Sequence, residues 1–191
     1  MTQPRDGGSS LAEPEWVSHW RKDPLPADQA LLRFDGLGAI DPDELTGRWR
    51  GSGLHTRHPL DGLLERFAWY GKAFETSEIV HPLLFKNPKG NIYAVDPARV
   101  PLGLALRRPT LARSSLARLL FVLSRGLLRT SSPTARLRKI EHRGVASAAI
   151  IYDSQPIIDH IRRIDDGRVL GLMDLRSMPQ PFFFLLSRDQ D

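Results

Sequence analysis

The chain has 191 residues, of which 41% are hydrophobic and 26% are charged, as expected for one globular domain with its own core. It contains no cysteine, which excludes disulfides, thiolate nucleophiles and cysteine-ligated zinc. The formal net charge is +5, and most of the basic residues are arginines.

The N-terminal residues and the most apolar run of the chain indicate where in the cell the protein is expected. Residues 1–14 are polar and rich in Gly, Ser and Pro, so we predict a disordered tail. They lack the apolar core of a secretory signal. The most apolar run, 116–128, is interrupted by arginines and is far shorter than the ~20 residues that span a bilayer. We therefore expect a cytoplasmic protein with no membrane span.

The first half of the chain alternates helical and extended patterns. Pro near the start of 26–34 and glycines after it predict a short helix. A first strand is expected over 45–54, and leucines at helical spacing predict a second helix over 58–67. Residues 69–85 are typical of extended structure, and the turn signal NPKGN leads to a returning strand at 92–95.

Residues 97–134 form a basic segment in which we expect a helix over about 110–128, from a stripe of leucines. No Asp or Glu occurs from Pro97 to Ile140, whereas ten basic residues do. The stretch 99–139 is therefore a candidate for binding nucleic acid or an anionic surface. Nucleic acid is disfavoured because aromatic side chains that would stack on bases are nearly absent there. A solvated helix face is the simpler interpretation.

The last third consists of short segments separated by turns: 136–143, 145–153, 156–164, 169–175 and 182–187. This spacing predicts an antiparallel meander with turns near Gly144, Ser154, Asp166 and Pro179. The isoleucines of 156–164 also fit a helix, but the flanking turn signals favour a strand. A strongly bent sheet of this length closes into a barrel or half-barrel. We expect a mainly β protein with a few helices. It should form one domain over 15–191, whose parts are 26–96, a basic helical insert over 97–134 and the C-terminal antiparallel meander over 135–188.

Several segments carry a family resemblance. Gly47-Arg48-Trp49-Arg50-Gly51 matches the pattern that names the GXWXG family, and Trp69-Tyr70-Gly71-Lys72 with Phe74, and His81-Pro82-Leu83, resemble the rest of that domain. Residues 152–174 and Phe182–Phe184 resemble its companion C-terminal domain of unknown function. The resemblance covers about 26–188. Ile158 and Ile161 depart from it, standing where Asn and Phe are expected. It implies a lipocalin-like antiparallel barrel.

Charged residues are densely mixed with large apolar ones in 152–174, which indicates a pocket rather than a solvated face. In a strand, Asp159 and His160 point to opposite faces, so one of them must face the interior. Lys72 follows two aromatic residues and is also costly to bury alone. We expect Asp159 and Lys72 to share a cavity or neighbouring layers, as a functional or a purely structural pair.

The leading functional hypothesis is a barrel that binds a small hydrophobic molecule. Catalysis without a cofactor, such as double-bond isomerisation, would use Asp159, His160 or Lys72. The HExxH, Walker, GxGxxG and GxSxG motifs are absent, and no metal site or cofactor is expected. A haem-binding barrel with His81 or His160 as ligand is a further alternative. Both a monomer and a homodimer remain open. The expected ligand-binding residues are Trp49, Trp69, Phe74, His81, Arg162, Met173, Asp174 and Phe183.

Overall fold

The computed structural model describes residues 12–189, so the predicted disordered tail lies almost wholly outside the described residues. Its helices are α1 (Glu15–Lys22), α2 (Ala27–Asp35), α3 (Leu63–Arg66), α4 (Leu102–Arg107), α5 (Pro109–Ala112), α6 (Ser115–Leu123) and α7 (Arg125–Leu128). Its strands are β1 (Gly47–Leu54), β2 (Trp69–Phe74), β3 (Val80–Lys86), β4 (Ile92–Ala94), β5 (Ala135–His142), β6 (Val145–Tyr152), β7 (Ile157–Asp165), β8 (Arg168–Leu175) and β9 (Met178–Arg188). Single 3-10 turns occur at Pro42–Leu45 and Pro97–Arg99.

The strands form one antiparallel sheet that closes on itself. Their order is β2-β1-β9-β8-β7-β6-β5-β3-β4, and a further pairing of β2 with β3 completes an eight-stranded barrel. The short strand β4 lies outside the ring, beside β3. The predicted antiparallel barrel is confirmed, and it is closed rather than a half-barrel. The interior of a barrel of eight strands is just wide enough to be filled by side chains or to hold one small ligand.

The C-terminal meander follows the predicted pattern. Strands β5 and β6 pair along their whole length, and the ambiguous segment 156–164 is the strand β7. The turn predicted near Pro179 lies slightly earlier, at residues 176–177, and β9 already begins at Met178. The pairing of β9 with β8 includes Met178 and resumes only at Phe182, so the intervening prolines lie where no ladder donor is needed.

The predicted N-terminal helix is present as α2, but the helix predicted over 58–67 is reduced to the single turn α3. Asp61 explains the shortening: its carboxylate accepts hydrogen bonds from the backbone N–H groups of Thr56 and His58, at 3.0 and 2.9 Å. These bonds hold the preceding residues in a turn. Gly62 follows in the left-handed region, with φ of 73°, and only then does the helical turn begin.

The helix predicted over 110–128 is divided into α5, α6 and α7. The hydroxyl of Ser114 accepts a hydrogen bond from Ala117 N at 3.1 Å and so starts α6 afresh. The hydroxyl of Ser124 bonds back to Leu120 O at 2.8 Å, at the junction between α6 and α7. No helix among residues 12–189 is both long and apolar enough to cross a bilayer.

Side chains pack on both faces of the barrel wall. Inside, a large cluster of buried apolar residues fills the barrel, and helical residues such as Leu106 and Phe121 pack against it. Outside, α1 and α2 cover part of the wall with Val17, Trp20 and Phe34. Helix α1 was not predicted. The strands beneath these two helices are therefore buried on both faces. A buried residue of β7 or β8 can thus lie either inside the barrel or under the helices outside it.

Candidate functional site

The barrel interior contains a buried ion pair. Lys72 Nζ lies 2.9 Å from Asp159 Oδ2, and both residues are at most 2% exposed. Lys72 is on β2 and Asp159 is on β7, so closure of the barrel brings together residues 87 positions apart. The expected pairing of Lys72 with Asp159 is confirmed. Breaking such a pair is costly because the remaining charge stays buried without compensation.

Tyr152 completes this polar centre. Lys72 Nζ donates to Tyr152 Oη at 3.0 Å and to the carbonyl oxygen of Pro82 at 3.1 Å. The Tyr152 hydroxyl in turn donates to Asp159 Oδ2 at 3.1 Å. Burial and the neighbouring Asp159 carboxylate raise the pKa of Tyr152 well above its usual value, so the phenol stays protonated and remains a donor. All three N–H groups of the Lys72 ammonium thus have an acceptor.

One oxygen of this centre has no partner. Asp159 Oδ1 is buried and accepts no hydrogen bond from any residue in the described range 12–189. Buried polar atoms of native proteins are almost always bonded, so an unpaired one calls for a physical explanation. The free oxygen is a ready acceptor for a hydroxyl or N–H group brought by another molecule.

Aromatic rings surround the Lys72 ammonium. Its nitrogen lies 4.8 Å from the centroid of the Phe184 ring, 5.4 Å from that of Tyr152 and 5.8 Å from that of Trp69. Rings at these distances stabilise a cation through their electron-rich faces. The polar centre is therefore enclosed by apolar walls, as in sites that orient a mostly hydrophobic ligand with a few polar groups.

Other predicted ligand-binding residues also face the interior. Trp49 is directly opposite Lys72 in the β1–β2 ladder, and Met173 is opposite Asp159 in the β7–β8 ladder. Phe74 belongs to the same interior cluster. The indole of Trp49 donates to Leu45 O at 2.7 Å, which anchors the ring in the floor of the core. Trp49 therefore has a structural role whatever else it contacts.

Four predicted site residues lie elsewhere. His160, Arg162, Asp174 and Phe183 point to the outer face of the wall, because they alternate with inward-facing neighbours. His160 stacks on His142 with ring centroids 3.7 Å apart, and Arg162 lies over Phe34 of α2. Asp174 is exposed. None of the four can contact a ligand inside the barrel, and His160 cannot hold a haem there.

His81 is half-buried at the start of β3, next to Glu75 at 3.7 Å. The structure does not bring it into the Lys72 centre. Tyr152 of that centre was missed by sequence reasoning. The Phe182–Phe184 run was expected to supply apolar walls, but Phe183 was chosen from it, whereas Phe184 is the residue that faces the centre. Strand alternation carried a signal for both, since Tyr152 shares a face with Ile150, which pairs with Asp159, and Phe184 has the opposite phase to Phe183.

Two cavities lie outside this centre. One of about 500 Å³ is bordered by Glu65, Arg113 and Arg118, and another of about 260 Å³ by Phe67, Lys86 and Phe121. Both lie where the helical segment 97–128 meets the barrel. The polar centre lies among the buried side chains of the interior cluster, so a ligand that reaches it would move some of them.

The protein is a closed eight-stranded antiparallel barrel with a buried ion pair inside. Comparison with known protein families identifies the family. Residues 33–90 match the model of the GXWXG protein family, and residues 133–188 match that of a domain of unknown function, DUF4334. The chain belongs to the GXWXG family and carries this C-terminal domain, as the sequence resemblance indicated.

A solved structure shows the same architecture. The crystal structure of a protein from Thermomonospora curvata is 31% identical to this chain, and the match covers 89% of this chain and 92% of that one with a TM-score of 0.66. No curated protein matches the chain.

Proposed function

We propose that the protein binds a small hydrophobic molecule inside its barrel and that Asp159 orients it. The observation that carries this proposal is the oxygen Asp159 Oδ1, which is buried and has no hydrogen-bond partner among residues 12–189. A ligand with a hydroxyl or N–H group would satisfy that oxygen, and its apolar body would replace side chains of the interior cluster. Because Lys72 is fully hydrogen-bonded, it holds the carboxylate in place rather than contacting the ligand.

The same carboxylate also suits proton transfer between carbon atoms. In a bound β,γ-unsaturated ketone, Asp159 would remove a proton from the carbon between the carbonyl and the double bond. It would then return the proton to the far carbon of the double bond, so no redox partner is needed. The Tyr152 hydroxyl, which donates to Asp159 Oδ2 at 3.1 Å, helps Lys72 to fix the orientation of the carboxylate. Lys72 does not supply a Schiff-base amine in this scheme, because its three donors are engaged.

Native mass spectrometry tests the binding proposal. Wild-type protein purified from its own host should carry one small apolar molecule per chain, released on denaturation and identifiable by its mass. Asp159→Asn keeps the side-chain shape but removes the charge, and it should lose the molecule. Because this change also leaves Lys72 without its counter-charge, circular dichroism should first show that the variant is folded under the conditions used. A wild-type protein with no bound molecule, or an Asp159→Asn variant that keeps it, would contradict the proposal.

The catalytic extension has its own readout. Proton NMR of a β,γ-unsaturated ketone in D2O would show deuterium entering the substrate as the conjugated isomer forms. Wild-type protein should accelerate this exchange and Asp159→Asn should not. Equal rates for the two proteins would leave the site as a binding site alone and remove the isomerase assignment.

A further inference from the structure

Helix α6 and the turn α7 expose a row of leucines to solvent. Their exposed fractions range from 53% to 77%, and their spacing puts them on one side of the helical segment. We call this surface the leucine face; it consists of Leu116, Leu119, Leu120, Leu123 and Leu127. Single exposed leucines are common, but a contiguous apolar patch marks an interaction site.

The opposite side of the same helices attaches them to the barrel. The Phe121 ring lies 4.8 Å from that of Phe67 and 5.1 Å from that of Phe85, and Leu128 packs against the interior cluster. The segment is thus apolar on both sides, although only one side packs against other residues of the described range 12–189. The leucine face is presented outward on a helix that is already anchored.

The helical segment that carries the leucine face is positively charged. Arg107 and Arg108 are exposed at the end of α4, and no acidic residue occurs from Pro97 to Ile140.

We propose that this surface docks on an anionic lipid bilayer. The leucine face enters the boundary between headgroups and acyl chains, while Arg107 and Arg108 contact anionic headgroups. A second copy of the chain fits poorly, since a symmetric contact would bring two arginine-rich surfaces together. A nucleic acid would leave the leucines exposed to water, and the leucine face has no aromatic side chain on which bases could stack.

Vesicle sedimentation tests this docking. Wild-type protein should bind vesicles of phosphatidylcholine mixed with phosphatidylserine at least about tenfold more tightly than vesicles of phosphatidylcholine alone, because several cations lie near the surface. Binding should weaken as salt is raised, since the charges are screened. The double variant Leu119→Ser/Leu123→Ser should lose about tenfold or more in affinity, because it removes apolar area that would enter the bilayer.

Two matched controls separate this surface from general effects. Leu32 is 70% exposed on α2, away from the leucine face, so Leu32→Ser should leave vesicle binding unchanged. Arg107→Gln/Arg108→Gln should weaken binding to the anionic vesicles. Arg136→Gln/Arg138→Gln removes the same charge from β5, where both arginines are already paired with acids, and should have a smaller effect.

Three results would overturn the proposal. Equal affinity for neutral and anionic vesicles would remove the role of the arginines, and no binding to either would remove the membrane altogether. Light scattering supplies the third. A wild-type dimer that Leu119→Ser/Leu123→Ser converts to a monomer, together with no vesicle binding, would assign the leucine face to a second copy of the chain.

Discussion

The indole ring of Trp69 lies directly against Gly51, so that a β-carbon at position 51 would be 2.2 Å from the ring. Gly171 makes the same kind of space for Phe184, at 2.1 Å, and the two rings meet edge to face with centroids 6.1 Å apart. Both rings surround Lys72. The last glycine of the GXWXG pattern is thus explained by packing: its missing side chain is the space that an aromatic wall of the polar centre occupies.

Gly51→Ala should therefore destabilise the protein by about 1–3 kcal/mol or more, as overpacking of a tight core does. Gly38→Ala is the matched control, because a β-carbon there meets nothing within 4 Å. Urea unfolding of both variants measures the difference in the free energy of unfolding. If Gly51→Ala proved no less stable than Gly38→Ala, the tight contact with Trp69 would not exist in solution.

Lys72→Met should cost about 3–5 kcal/mol, since it leaves the Asp159 carboxylate buried without its partner. The control is Arg136→Met, which breaks an ion pair with Asp153 in which both side chains are more than 40% exposed. Such a surface pair contributes about 0–1 kcal/mol. Thermal or urea unfolding compares the two. Similar small losses for both variants would mean that water reaches the Lys72 centre.

The pairing of Lys72 with Asp159 could be predicted because each charge lies in apolar sequence and is expensive to bury alone. The faces of His160 and Arg162 could not be predicted in the same way. Strand alternation shows that Asp159 and His160 point to opposite faces of the sheet. It does not show that helices cover the outer face and bury His160 and Arg162 there. The covering helix α1 gave no signal that was recognised, although its Val17 and Trp20 are the residues that pack on the barrel.

The barrel was predictable from the regular spacing of turns after residue 135. Its closure depends on contacts that spacing does not encode, such as the single bridge between Val80 and Ala135 that joins β3 to β5. The sequence also does not determine which rings of the Phe182–Phe184 run point into the barrel, because three identical residues in a row give no alternation of polar and apolar side chains. The register with β8 decides it and turns Phe184 inward.

Stability should fall as the pH drops from about 6.5 towards 4, because of two buried histidines. Burial lowers the pKa of both His58 and His160 to about 4, below the ordinary value of 6.5. Since the folded-state pKa is the lower one, the unfolded chain binds protons first in this window, and the folding equilibrium shifts towards it. Each histidine adds at most about 1.4 kcal/mol of lost stability per pH unit.

Melting temperatures measured across this pH range check the expectation. His160→Leu should flatten the pH dependence between 6.5 and 4, because it removes one of the two groups. His19→Gln changes an exposed histidine and should leave the profile unaltered. A wild-type melting temperature that stays constant over the window would show that the two imidazoles take up protons in the folded state.

The most direct measurement replaces the whole polar centre by apolar side chains and asks whether the bound molecule remains. The triple variant Lys72→Met/Tyr152→Phe/Asp159→Val leaves no buried charge or hydroxyl unpaired, so it should stay folded, as apolar replacements of buried ion pairs commonly do. Native mass spectrometry should then find the variant folded but without the small molecule carried by the wild type. A folded triple variant that still carries the molecule in the same amount would show that the centre only stabilises the barrel.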